Sequence, residues 1–237
     1  MHKKSHSIEL ALERKNEMTE VALSLLDVDE ENSLNVFYNI ETARIDYFHI
    51  DVMDGEFVEG ENILKMRDYA LKIHSISRTP MDVHLMVKRP MEHIDEFCDL
   101  GADRIIFHIE TCTDKEEVLD IIRYIIESGK KVGLAVNLTT DIEKVYEFLP
   151  FVHLVLVMSV KSGKGGQTFN PLAFDKIKKL KEYCYENDLD LDIEVDGGIN
   201  DITGKEAVES GANILVSGNY ILKSNDYKEA VNKLKET

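Results

Sequence analysis

The sequence is short of cysteine, of positive charge and of long apolar runs, and each shortage closes off a class of protein. Its three cysteines, Cys98, Cys112 and Cys184, are odd in number, far apart and without a C-x-x-C pair. That argues against a disulfide framework and fits a reducing cytosol, so a cytoplasmic protein is expected. Lys and Arg number 28 against 45 Asp and Glu, a formal charge of −17, which works against partners such as nucleic acid or an anionic membrane. No stretch is long and apolar enough to span a bilayer, and the start carries no signal-peptide core. No composition break marks a second domain. With 237 residues, 43% hydrophobic and 31% charged, the chain has the make-up of a soluble globular protein large enough for one α/β barrel. Any anionic ligand on it needs local donors, because the overall field is unfavourable.

What is present is a regular alternation. Apolar runs at Val21–Leu26, Ile45–Met53, Met81–Val87, Arg104–Ile109, Lys131–Val136, His153–Met158, Leu191–Val195 and Asn213–Val216 read as eight short strands, the first of them suited to burial on both faces. Between them fall helical patterns over Leu34–Ala43, Ile63–Ile76, Met91–Leu100, Lys115–Glu127, Asp141–Phe148, Pro171–Glu186 and Thr203–Ser210, with a short extra helix at Asn219–Leu222. Gly101-Ala102 and Gly211-Ala212 stand where helix-to-strand loops favour glycine. Eight such units predict an α/β fold, a single (β/α)8 TIM barrel over residues 20–237. Residues 1–19, polar and charged, predict a short N-terminal extension.

The chain is anchored on His49-Ile50-Asp51-Val52-Met53-Asp54-Gly55. On a strand, His49, Asp51 and Met53 share one face, and Asp54-Gly55 ends the strand in a turn. An imidazole beside a carboxylate is half of a metal site; it is equally an edge strand whose polar residues meet water. In a barrel, the active site lies at the C-terminal strand ends. There the second strand offers His49 and Asp51, the third His84, the fourth His108 and Glu110, and the seventh Glu194 and Asp196. Two imidazoles and two carboxylates converging suit a divalent metal ion such as zinc, iron or manganese. Taken alone, His84 and still more His108 read as core histidines. After the sixth, seventh and eighth strands come Gly165-Gly166-Gln167, Gly197-Gly198 and Gly218-Asn219. Glycines there let backbone N–H groups reach phosphate oxygens, which answers the charge problem with main-chain dipoles.

From Val21 onward the chain resembles the ribulose-phosphate 3-epimerase family. The resemblance is carried by His49–Gly55 with Phe57-Val58, by Asp82–Val87, and by Phe107-His108-Ile109-Glu110. Val132–Asn137, Val155–Met158, Gly165–Gln167 and Ile193–Ile199 extend it in register. It implies one divalent metal ion held by His49, Asp51, His84 and Asp196, with Asp51 and Asp196 as the acid/base pair. It also implies that Met53, Met86 and Met158 line the pocket and that Ser24 contacts substrate. The implied partners are a small-molecule ketose phosphate, most naturally D-ribulose 5-phosphate, and other copies of the chain in a homo-oligomer.

Departures from the family pattern border the substrate rather than the aspartates. Leu26-Asp27-Val28-Asp29 stands where Leu-Ser-Ala-Asp is common, Ser162-Gly163-Lys164 where Pro-Gly-Phe is common, and Gly218-Asn219 where Gly-Ser is common. They leave room for a hexulose phosphate such as D-allulose 6-phosphate; a barrel that binds a phosphosugar without turning it over is a separate alternative, which predicts eroded catalytic residues where this set is intact. A related decarboxylase is disfavoured, because Asp51-Val52-Met53-Asp54 lacks the lysine of the D-x-K-x-x-D motif.

Overall fold

The computed structural model describes residues 19–237, so the expected N-terminal extension lies, but for Thr19, outside the described residues. Eight parallel strands close into a barrel in chain order: β1 (Glu20–Ser24), β2 (Tyr47–Met53), β3 (Met81–Met86), β4 (Arg104–His108), β5 (Lys131–Val136), β6 (Leu154–Met158), β7 (Asp192–Asp196) and β8 (Ile214–Ser217). β8 pairs back onto β1, with Val216 opposite Ala22, so the sheet has no edge. The expected (β/α)8 architecture is therefore present, and the edge-strand reading of His49 and Asp51 is overturned: both are buried inside the closed barrel. Among the described residues no helix is long and apolar enough to cross a membrane.

Strand alternation sorts the residues into two cores. The outward row packs under the helices; Phe37 meets Phe48 and Tyr69 edge-on at centroid distances of 5.9 and 5.3 Å, and the Tyr69 hydroxyl donates to the Val28 carbonyl at 2.9 Å. The inward row is divided. One part, Ala22, Ile106, Ala135, Leu154, Leu156, Ile214 and Val216, forms an apolar filling. Gly133 makes room for it, since a Cβ there would come within 2.9 Å of both Leu154 and Ile106. The other part is polar: β2, β3, β4 and β7 turn His49, Asp51, Asp82, His84, Arg104, His108, Glu194 and Asp196 inward.

Two helices differ from the sequence expectation, and one was not read. The Asp141–Phe148 segment is a 3-10 helix, Ile142–Phe151, with Pro150 inside it. The helix expected to begin at Thr203 begins at Asp201, because Asn200 caps it: its side-chain oxygen accepts from the Ile202 and Thr203 amides, and Thr203 Oγ1 accepts from the Asn200 amide. Tyr227–Lys235 forms a terminal helix that the sequence reading passed over. Asp226 caps it and Ala230, Val231 and Leu234 bury its inner face.

Candidate active site

Register brings the polar inward residues together. Between β2 and β3, Asp51 lies opposite His84 and His49 opposite Asp82; between β6 and β7, Met158 lies opposite Asp196. His49 Nε2, Asp51 Oδ1 and His84 Nδ1 form a triangle with sides of 3.1, 3.4 and 3.4 Å. One ligand atom from each of His49, Asp51, His84 and Asp196 lies within 4.8 Å of the others. Tetrahedral donors at about 2.1 Å from a zinc-like ion are roughly 3.4 Å apart, so this donor set fits a divalent transition metal in both spacing and chemistry.

Electrostatics separates the two aspartates. Burial raises the Asp51 carboxyl, but His49 and His84 outweigh it with charge and hydrogen bonds and hold Asp51 well below the usual carboxylate range. Burial, reinforced by the negative charge of Asp51, pushes Asp196 up to about 7. Burial brings the His84 imidazole down to about 4, while Asp51 and Asp82 together overcome burial and raise His49. In the metal-free protein near neutral pH, Asp51 is thus ionised while Asp196 is partly protonated, the asymmetry a two-carboxylate proton transfer needs.

A cavity of about 450 Å³ opens above these groups. Ser24, Asp51, Met86, Met158 and Asp196 line it, as do Gly165, Gly166, Gln167, Gly197, Gly198, Gly218 and Asn219. Met53 is not in that lining; it packs with Val58 and Met86 in a small apolar cluster at the barrel mouth. Ser24 Oγ donates to Asp51 Oδ2 at 2.7 Å. Gln167 holds the glycine loop in shape, its Nε2 donating to the carbonyls of Lys161 and Lys164 at 2.7 Å each. Gly198, at φ +61°, lets the chain pass so close to Phe169 that a Cβ would sit 2.3 Å from the Phe169 nitrogen.

Glu194 stands deeper than the sequence reading placed it. It is fully buried one layer below the cavity, with Oε1 3.6 Å from His49 Nδ1, and Asp82 Oδ1 stands 3.5 Å from the same nitrogen. Burial and the charge of Asp82 raise the Glu194 carboxyl well above the usual carboxylate range. Asp82 was missed as a site residue, although its place two before His84 puts it on the same inner face. Asn62 was missed too. Its Oδ1 accepts from the Met53 amide at 2.8 Å and its Nδ2 donates to the Asp51 carbonyl at 2.9 Å, clamping the end of β2. Asp54 ties the same loop down, accepting from the amides of Glu56, Phe57 and Lys88.

The geometry has counterparts of known kind. The profile of the Ribulose-phosphate 3 epimerase family matches residues 20–222. The chain belongs to the ribulose-phosphate 3-epimerase family. Membership makes it an isomerase. The ribulose-phosphate 3-epimerase of Bacillus subtilis is 35% identical over 219 residues, 92% of this chain and 99% of the relative. That of Methanocaldococcus jannaschii is 36% identical, covering 92% of this chain and 91% of the relative. Among solved structures, a 3-hexulose-6-phosphate synthase superposes with a TM-score of 0.67 at 15% identity over 92% of this chain and 98% of the other. Tryptophan synthase of Mycobacterium tuberculosis gives 0.67 at 12% identity over 94% and 93%. Those two likenesses concern the barrel alone.

Proposed function

We propose that this protein inverts C3 of a ketose phosphate, converting D-ribulose 5-phosphate to D-xylulose 5-phosphate by proton transfer between Asp51 and Asp196. The observation that carries this is the opposite displacement of the two carboxyls at one cavity, Asp51 low and Asp196 high. The ionised Asp51 removes the C3 proton from one face and leaves an enediolate; Asp196 delivers its proton to the other face, and the roles exchange in the reverse direction. His49, Asp51, His84 and Asp196 would hold one divalent ion, zinc, iron or manganese, which as a Lewis acid lowers the energy of negative charge on the substrate oxygens. The amides of Gly165-Gly166, Gly197-Gly198 and Gly218-Asn219 receive the phosphate without any need of net positive charge. Met86 and Met158 keep water from the reacting carbon.

A second substrate, D-allulose 6-phosphate, is allowed by one feature. Asp27, Lys164 and Asn219, three of the departures from the family pattern, line the cavity beside its glycine loops. The test is turnover of each sugar phosphate with and without added divalent metal. Metal-dependent epimerisation of one of them, lost in Asp51→Asn and Asp196→Asn, supports the proposal and chooses the sugar. Absence of turnover on both by folded, metal-loaded protein rejects it in favour of another phosphosugar or a binding role.

A further inference from the structure

His108 and Glu110 belong to no part of the proton transfer, yet they reach Asp51 in a row through His84. The His84 ring has one nitrogen in the site: Nδ1 stands 3.1 Å from Asp51 Oδ1 and 3.4 Å from His49 Nε2. Its other nitrogen, Nε2, stands 2.9 Å from His108 Nε2. The two rings are nearly parallel, with centroids 5.0 Å apart, and both are fully buried. On the far side, His108 Nδ1 stands 3.0 Å from Glu110 Oε2, and Glu110 Oε1 accepts from the Asn137 amide at 2.8 Å.

Hydrogen-bond chemistry assigns the protons along this row. An ionised carboxylate only accepts, so the nitrogen of His108 that faces Glu110 carries hydrogen. A neutral His108 then has its lone pair on Nε2. Two imidazole nitrogens 2.9 Å apart need one donor and one acceptor, so His84 must donate from Nε2. The lone pair of His84 is thereby placed on Nδ1, toward Asp51 and His49.

We propose that His108 and Glu110 are positioning residues that fix the tautomer of His84, so that its Nδ1 presents a lone pair to the cation bound at the site. The inference rests on the metal reading given above. Without the relay, His84 is free to put its proton on Nδ1 and hydrogen-bond Asp51, which removes two ligands from the cation at once. Groups that hold the second nitrogen of a ligand histidine typically change metal affinity by about 10- to 100-fold when removed.

The test uses the full chain and zinc ion, with affinity measured by competition against a chromophoric chelator. His108→Phe keeps a ring in the buried slot and removes the acceptor; zinc affinity falls by about 10- to 100-fold. His108→Gln restores a side-chain carbonyl that accepts from His84 Nε2, and recovers most of that loss. A general packing role predicts no such recovery. Histidine ring 15N NMR on zinc-loaded wild type shows His108 protonated at Nδ1 and His84 at Nε2, and this needs no variant to fold. Wild-type zinc affinity in His108→Phe, or a wild-type His108 protonated at Nε2, overturns the relay while leaving the metal site standing. Wild type that binds no zinc overturns the metal reading itself, and the relay with it.

Discussion

Ser24 donates its hydroxyl hydrogen to Asp51 Oδ2 at 2.7 Å, from a strand where it lies opposite His49. The bond therefore ties the carboxylate assigned as base to the first strand, while His84 engages its other oxygen. A hydrogen bond to a charged group contributes about 1.5–3 kcal/mol. We predict that Ser24→Ala lowers kcat/KM by roughly 10- to 100-fold, the range that energy implies. The melting temperature should hold within a few degrees, because the side chain removed is small. Turnover within twofold of wild type would show that Asp51 is oriented without Ser24.

Asp51→Asn and Asp196→Asn should each reduce epimerisation by at least about 10²-fold, the contribution of one positioned acid or base. Their stabilities should diverge in metal-free protein at pH 8. Asp51→Asn removes an ionised group that His49, His84 and Ser24 satisfy, whereas Asp196→Asn relieves a carboxyl that the fold resists ionising. Melting curves of chelator-treated samples decide it: Asp196→Asn melts higher than wild type, Asp51→Asn lower.

The same displacement fixes how stability depends on pH. In the folded, metal-free protein Asp196 keeps its proton to about 7 against an ordinary 3.8, so the folded state holds more protons and stability falls as pH rises through that interval. Glu194 and His49, both raised, act in the same sense. His84, lowered to about 4 from 6.5, acts in the opposite sense, but only below pH 6.5. We predict a fall in melting temperature from pH 6.5 to 8 of about 2 °C or more, flattened in Asp196→Asn. A rising profile over that window would show that the carboxyl is not held protonated.

Much of this site was legible because strand alternation is a local property. His49 and Asp51, two apart, had to share a face, and the glycine pairs after three successive strands marked the rim of the cavity. What alternation cannot give is depth. Glu194 and Asp196 share a face as well, yet only Asp196 reaches the cavity, because the β6–β7 register sets Asp196 opposite Met158 and Glu194 opposite Leu156. The pairing of His49 with Asp82 and the contact of His84 with His108 are likewise products of register between separate strands. His108 therefore read as a core residue until its neighbour was known. Tyr227–Lys235 escaped for a different reason: its apolar positions 230, 231 and 234 are few among charged residues, although Asp226 was a usable capping signal.

At the end of the cavity where phosphate binding is proposed, Asn219 Nδ2 donates to Asp27 Oδ2 at 2.5 Å. The Asp27 carboxylate fills the space above Gly165, where a Cβ would lie 2.1 Å from Oδ2. A fixed carboxylate in a phosphate pocket raises the energy of the bound dianion; charges a few ångströms apart near a surface interact by a few kcal/mol before solvent screening. We predict that Asp27→Ser lowers KM for the phosphosugar by about three- to tenfold, after allowing for that screening, and that the gain shrinks at high salt. An increase in KM would show instead that Asp27 supports the pocket by holding Asn219.

Gly198 and Gly129 separate backbone strain from loss of space. Both have positive φ, +61° and +75°, so an alanine at either pays for a left-handed conformation, about 1 kcal/mol. At Gly129, after the helix Lys115–Glu127, an added Cβ meets nothing within 4 Å. At Gly198 it lies 2.3 Å from the Phe169 nitrogen and 2.9 Å from the Gln167 carbonyl oxygen, both backbone atoms that cannot swing aside. Relief there requires moving the segment 167–169, which carries the end of the glycine loop beside the cavity. Gly129→Ala should therefore cost about 1 kcal/mol and leave inhibition by inorganic phosphate unchanged. Gly198→Ala should cost more than about 2 kcal/mol and weaken that inhibition, because strain and displaced backbone add. Denaturant unfolding and phosphate titration of the two variants, side by side, measure both effects. Equal behaviour would place the phosphate away from the Gly197-Gly198 turn.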